Sequence, residues 1–301
     1  MKTAVLFPGQ GSQQKAMYDP FRGTKPFEDI KRLLEDELRE DIDAYIENFS
    51  STRHVQLALL VVGVSSAYEL LESDIVIDAV AGHSAGAFAA AVMANVITLK
   101  DAIHLVQLRG TLMEQAFPTG YGMIAVQGLD LNFVRELIER EEHVFLANEN
   151  AHEQVVLSGK RNALDAISSV LKQKGARRIT NLSVTVPSHS PLFSDVADTL
   201  LERFKTLRTS PPKYPFVANQ TGKLLRQEKG IVEDLASNIR STVRWQRGMR
   251  MLIERGVQNF IQVPPGSVYT NLLKHEQGGI QALSLETIGL RDIQSLINTQ
   301  R

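Results

Sequence analysis

Residues 80–86 read Val-Ala-Gly-His-Ser-Ala-Gly, between the apolar run Ile75-Val76-Ile77 and the small-residue stretch Ala87-Phe88-Ala89-Ala90-Ala91-Val92-Met93. A serine flanked by glycines, at the crossing from a strand into a helix, is the pattern of a nucleophile elbow. Gly82 and Gly86 suit the tight turn, because a β-carbon at either place would crowd the neighbouring strand or helix. Ser84 is thereby pushed to the tip of the turn. There it sits at a helix N-terminus, whose free N–H groups can stabilise charge developing on a bound carbonyl oxygen. That is the chemistry of acyl transfer. Gly-x-Ser-x-Gly also occurs by chance, so the strand before and the helix after carry the weight of the reading.

A serine nucleophile needs a base, and there are seven histidines: His54, His83, His104, His143, His152, His189 and His275. His83 adjoins the serine, but successive residues of a tight elbow point in different directions, so its expected role is to support the turn. His104 falls on the partly exposed face of a helix. His143, His152 and His275 lie among polar neighbours and read as surface groups, and His54, just before a buried helix, is ambiguous. His189 follows a strand and Pro187-Ser188, at a junction between two units where clefts form, and is the expected base. Arg109 stands among Leu105, Val106, Leu108 and Leu112. On an arbitrary helix it would be a snorkelling surface residue. Here its helix directly follows the elbow helix, so one face looks toward Ser84, where a guanidinium could grip a carboxylate in two-pronged fashion.

The elements that must position these groups follow from periodicity and punctuation. Ala4-Val5-Leu6-Phe7 reads as a buried strand ending at the loop Pro8-Gly9-Gln10-Gly11-Ser12-Gln13. Residues 27–47 read as a polar, acidic surface helix. Ser51-Thr52 opens an apolar helix running to Leu71, and Thr98-Leu99-Lys100-Asp101 opens the helix that carries Arg109. After Gly120-Tyr121-Gly122 come a strand at 123–126, a helix at 131–141, strands at 144–147 and 154–158, a helix at 162–174 and a strand at 176–186. That βαββαβ order is the ferredoxin-like signature. The remainder reads as a helix at 191–204, a strand at 216–219, helices near 231–240 and 245–255, and a strand at 259–263. The expected fold is therefore α/β: a hydrolase-like, mostly parallel sheet in a large discontinuous domain, 1–121 and 190–301, with an inserted ferredoxin-like subdomain at 122–189.

Composition narrows the classes. The 301 residues are 43% hydrophobic and 22% charged, ordinary for a globular enzyme. With 33 basic and 34 acidic side chains the net charge is −1, which offers nucleic acid no basic field. There is no cysteine, which removes disulfides, a thiol nucleophile and thiolate-held metals, and fits a reducing compartment. No run reads as a signal peptide or as the ~18 apolar residues of a membrane span, so the expected location is cytoplasmic.

Phe7-Pro8-Gly9-Gln10-Gly11-Ser12-Gln13, the Gly82–Gly86 elbow, Leu108-Arg109-Gly110, Val186-Pro187-Ser188-His189-Ser190, Val243-Arg244-Trp245 and Val263-Pro264-Pro265-Gly266-Ser267 resemble, in order and spacing, the malonyl-CoA:acyl-carrier-protein transacylases. The resemblance spans essentially the whole chain. It implies that Ser84 is acylated, that His189 is its base and that Arg109 binds the malonyl carboxylate. The backbone N–H groups of Gln10 and Ala85 would form the oxyanion hole, and a backbone carbonyl, assigned to Asn238, would orient the histidine. Asn150 resembles an asparagine that contacts the acyl donor. No bound cofactor or metal is implied: malonyl-CoA is the substrate, and the acceptor is the phosphopantetheine-type thiol of a carrier protein. Three departures, namely Ala87-Phe88 after the elbow, the stretch Phe117-Pro118-Thr119-Gly120-Tyr121-Gly122-Met123 and a short region between Tyr18 and Ser51, look like the malonate decarboxylase epsilon subunits. The carrier would then be the malonate decarboxylase carrier subunit. The alternatives are a fatty-acid or polyketide malonyl transacylase and, further off, a serine esterase or thioesterase or a non-catalytic binding subunit. An esterase would leave Arg109 without a role.

Overall fold

A computed structural model of the chain describes residues 1–47, 49, 51–117, 119–274, 276 and 278–299. Pro118 and His275 lie outside them. Ten strands are seen among the described residues: β1 Lys2–Phe7, β2 Ala79–Gly82, β3 Tyr121–Gln127, β4 Val144–Ala151, β5 Gln154–Lys160, β6 Arg178–Asn181, β7 Phe216–Val217, β8 Leu224–Leu225, β9 Val257–Gln262 and β10 Gln281–Ser284. They form two sheets. The larger has the order β10-β9-β1-β2-β7-β8 and is parallel except at the β7–β8 edge.

Strand β1 shows why its apolar run does not alternate with polar residues. Val5 and Phe7 point into one core, beneath the helices Thr52–Leu71, Gly86–Met93 and Leu99–Ala116. Ala4 and Leu6 point into a second core with Trp245, Met249 and Phe260. A strand covered by helices on both faces must be apolar on both. The helix Thr52–Leu71 is capped by Ser51, whose side chain accepts from the backbone N–H of His54. Contrary to the reading from sequence, this helix is by length and composition long and apolar enough to cross a membrane; 78% of its apolar window is buried inside the fold.

The smaller sheet has the order β4-β5-β3-β6 and is antiparallel throughout. With the helices Leu131–Ile138 and Arg161–Gln173 it forms the expected βαββαβ unit, around a core of its own that includes Ile124, Val134, Leu157 and Leu171. It is stitched to the large sheet's domain at Val243, which accepts from the Glu149 N–H and donates to the Ala147 carbonyl, each at 2.8 Å. The Glu149 carboxylate also meets Arg135 at 2.8 Å and Arg244 at 2.9 Å. The fold is thus α/β, a mostly parallel sheet with a separate ferredoxin-like one, and we propose 122–189 as the inserted unit within 1–121 and 190–301.

Several expected elements shift. The elbow strand is Ala79–Gly82, not the Ile75–Ile77 run; Ile75 and Ile77 are buried on the approach while Val76 is exposed. Residues 27–47 divide into helices Lys25–Leu38 and Ala44–Glu47, and they are not simply surface: Phe27, Ile30 and Leu34 form a buried stripe under a charged face. The strand expected at 176–186 is only Arg178–Asn181, because β3 offers it four partners before the chain turns away. Residues 191–204 begin as a 3₁₀ turn, Pro191–Phe193, before the helix Ser194–Phe204, and the helix near 231–240 is Glu228–Ser237 followed by a 3₁₀ turn. Strand β10 escaped the sequence reading.

Candidate active site

The elbow forms where β2 meets the helix Gly86–Met93. A β-carbon on Gly82 would strike the backbone of Ala87, and one on Gly86 the carbonyls of Phe7 and Pro8. Neither glycine has a positive φ, so both are required by close approach and not by conformation. The unusual backbone falls on Ser84 itself, at φ 52°. A residue other than glycine in the left-handed region costs energy that the surroundings must offset.

Two side chains from distant elements reach the Ser84 hydroxyl. His189 Nε2 lies 2.8 Å from Oγ, and Arg109 Nη2 lies 3.2 Å from it. The His189 Nδ1–H donates to the backbone carbonyl of Asn238 at 2.7 Å, which fixes the tautomer and leaves Nε2 as the acceptor facing the serine. Burial first, and then the Arg109 charge, push the His189 pKa down to about 3. The imidazole is therefore neutral, with Nε2 able to accept a proton.

Arg109 is only 1% exposed, which removes the snorkelling reading. Its Nη1 donates to Gln56 Oε1 at 2.5 Å, its Nη2 also reaches Asn238 Oδ1 at 3.4 Å, and its guanidinium lies 6.0 Å from the Phe88 ring centroid. Every partner is neutral. Among the described residues no carboxylate pairs with it, and burial pulls its pKa down to about 9. A buried guanidinium whose hydrogen-bond partners are neutral can receive an anion.

These groups line a narrow cleft shared with Gln10, Met113, Met123 and Ser188. A broader groove bordered by Gln127, His152, Arg177 and Arg250 has no serine among the described residues that line it. Among the described residues the backbone N–H groups of Gln10 and Ala85 donate to no protein acceptor, and Gly9 beside Gln10 is tied to the Tyr269 hydroxyl at 3.4 Å. Both N–H groups are thus available to a substrate oxygen.

His83 faces away from the serine hydroxyl. Its ring packs against Trp245 and Tyr269, with centroids 5.4 and 5.1 Å away, and its Nε2 meets Asn150 Oδ1 at 3.3 Å. Burial pushes its pKa down to about 4. Asn150 thus meets His83, and Asn148 also lines the cleft, its Oδ1 buried without a hydrogen-bond partner among the described residues. Register shifts in β4 on either side of Asn148-Glu149 pair Asn148 with Val156 and leave Asn150 without a register partner in β5, which strand period alone does not reveal. His104, His143 and His152 lie at the surface as expected, His104 paired with Glu37 at 2.9 Å and His152 with Asp130 at 3.4 Å, and half-buried His54 meets Arg53. Gln56 was also missed, although it is the sole polar residue in the apolar run Val55–Val64.

Fold and site together define an α/β acyltransferase class: a serine elbow, a histidine oriented by a carbonyl in place of a carboxylate, and a buried arginine beside them. Residues 5–288 match the acyl transferase domain family. The chain is 33% identical over 309 residues to the malonyl CoA-acyl carrier protein transacylase of Bacillus subtilis, covering 98% of this chain and 97% of that protein. The malonyl-CoA:acyl carrier protein transacylase structure from Xanthomonas oryzae superposes with a TM-score of 0.91 at 29% identity, covering 99% of each chain. A malonyl-transacylase solved in complex with a type II polyketide acyl-carrier protein gives 0.86 at 32% identity, covering 94% of each. The chain belongs to the malonyl-CoA:acyl-carrier-protein transacylase family.

Proposed function

We propose that the chain moves a malonyl group from malonyl-CoA to the phosphopantetheine-type thiol of an acyl carrier protein through an ester on Ser84. The observation that carries the reading is Arg109, a buried guanidinium with only neutral partners, 3.2 Å from the Ser84 hydroxyl. It gives the malonyl carboxylate a partner that an esterase would not need.

In the first half-reaction Ser84 Oγ attacks the thioester carbonyl carbon while His189 Nε2 takes the hydroxyl proton. The carbonyl π electrons move to oxygen, which the Gln10 and Ala85 N–H groups hold. Collapse breaks the carbon–sulfur bond, and the departing sulfur of CoA takes the proton from His189. In the second half-reaction the carrier thiol gives His189 its proton and attacks the Ser84 ester. The serine leaves as an alkoxide and recovers that proton. The Asn238 carbonyl supports the imidazolium in both halves.

Incubation with malonyl-CoA adds one malonyl mass to the protein in this reading, and Ser84→Ala removes the adduct. An adduct retained on the alanine variant takes Ser84 out of the mechanism.

The named relatives favour a general acyl carrier as acceptor. A second reading, the malonate decarboxylase carrier subunit, rests on Ala87-Phe88, the 117–123 stretch and the short 18–51 region. Side-by-side kcat/KM for the two carriers separates them. A decarboxylase carrier preferred at least ~10-fold, about 1.4 kcal/mol, favours the second reading.

A further inference from the structure

A buried carboxylate, Asp234, stands outside the cleft lining and is joined to the elbow through Asn219. Asp234, 3% exposed on the helix Glu228–Ser237, accepts from the backbone N–H groups of Asn219 at 2.9 Å and Gln220 at 3.0 Å. It also accepts from Asn219 Nδ2 at 3.3 Å. No cation pairs with it among the described residues.

Asn219, 4% exposed, spends its amide on the elbow. Its Oδ1 accepts from the Ser84 N–H at 2.8 Å, and its Nδ2 donates to the Gly82 carbonyl at 2.9 Å. Each end of the amide thus has a chemically matched partner, and a flipped amide would set donor against donor at Ser84. The clamp spans the residue at φ 52°. It also turns the Ser84 N–H away from the cleft, leaving the Ala85 N–H as the elbow's donor to substrate.

Asn238, whose carbonyl orients His189, lies four residues after Asp234, one turn along the same chain segment. One helix end therefore sets the serine, through Asn219, and the histidine, through its own carbonyl. We infer that Asn219 and Asp234 are positioning residues for the nucleophile: Asp234 orients the Asn219 amide, and that amide holds Ser84 in its strained conformation and in register with His189. This rests on the proposed role of Ser84.

The test uses Asn219→Ala and two isosteric variants, Asn219→Asp and Asp234→Asn. Asn219→Asp loses the donor to Gly82, and Asp234→Asn sets an NH₂ against a backbone N–H. Four quantities are read on the full-length chain: single-turnover malonylation, KM for malonyl-CoA, the malonyl-to-acetyl preference, and the rate at which a fluorophosphonate probe labels Ser84. Misplacement of a reacting atom by ~1 Å costs on the order of 100-fold, so a ~10–100-fold fall in malonylation and labelling is expected, with KM within about threefold. The malonyl-to-acetyl preference, which Arg109 sets, stays as it is. Wild-type rates in the isosteric variants overturn the inference, as does a rise in KM alone. A loss that merely tracks the fraction of unfolded protein also overturns it, and so does failure of both isosteric variants to fold. If the unaltered protein is labelled elsewhere than at Ser84, the nucleophile assignment itself fails, which is a distinguishable result.

Discussion

Ser84 and His189 face each other at 2.8 Å, and both hold a positive φ, 52° and 62°. Each lies in a backbone region that a β-carbon disfavours, on segments 105 residues apart. The strain on each side is held by hydrogen bonds to the same helix end: Asn238 for the histidine, and Asp234 through Asn219 for the serine. Pre-set geometry of this kind lowers the ordering cost at the moment of reaction.

Arg109→Ala separates malonyl transfer from generic acyl transfer. Truncation leaves a substrate carboxylate desolvated and unpaired, which costs roughly 2–5 kcal/mol. Malonyl-CoA should then lose ~30-fold to a few thousandfold in kcat/KM. Acetyl-CoA has no carboxylate to strand and should change little. Arg109→Lys should recover only part, since an ammonium lacks the planar fork. Equal falls for both substrates would make Arg109 structural.

Gln56→Leu tests what aims that arginine. Gln56 Oε1 takes Nη1, so its loss leaves a buried N–H unsatisfied, at about 1–3 kcal/mol. Malonyl-CoA turnover should fall by ~10-fold or more while acetyl transfer is less affected. An unchanged malonyl-to-acetyl ratio would show that the Asn238 and Ser84 contacts suffice.

With its pKa pushed down to about 3, His189 stays neutral through the physiological range. The kcat/KM profile should lack an acid limb near the ordinary histidine pKa of about 6.5. An acid limb centred there would contradict the burial argument. The same depression has a stability consequence of fixed sign. Below about pH 6.5 the unfolded chain binds a proton that the folded chain refuses, so stability rises with pH and is lost as pH falls from 6.5 toward 3. In His189→Gln the slope should be shallower by up to about 1.4 kcal/mol per pH unit below pH 6. Urea unfolding of both proteins at about pH 7, 6 and 5 gives the difference, and parallel lines would defeat it.

Gly86→Ala should destabilise the fold by about 1–3 kcal/mol or more, because its β-carbon meets the backbone carbonyls of Phe7, the last residue of β1, and of Pro8 just after it. Denaturant midpoints measure this. Wild-type stability would mean that the elbow and β1 separate more easily than their packing indicates.

Local chemistry was legible in the chain. The glycine spacing marked the turn, the lack of cysteine removed a thiol nucleophile, and the βαββαβ order defined the smaller sheet, while Arg109 was singled out by its helix following the elbow helix and His189 by its place at the junction of two units. The turn and the element order are short-range properties, set by sterics and by periods of 2 and 3.6 residues. What needed the tertiary structure was contact between distant segments: Gln56 with Arg109, Asn219 and Asp234 with the elbow, and Asn148 on the cleft wall. A buried polar residue acquires its function from the unsatisfied group it meets, and for Gln56, 53 residues before Arg109, or Asn219, 135 residues after Ser84, that group is chosen by packing and not by spacing. The bulges in β4 are of the same kind: one extra residue rotates a side chain to another face, and only the partner strand shows where it is inserted.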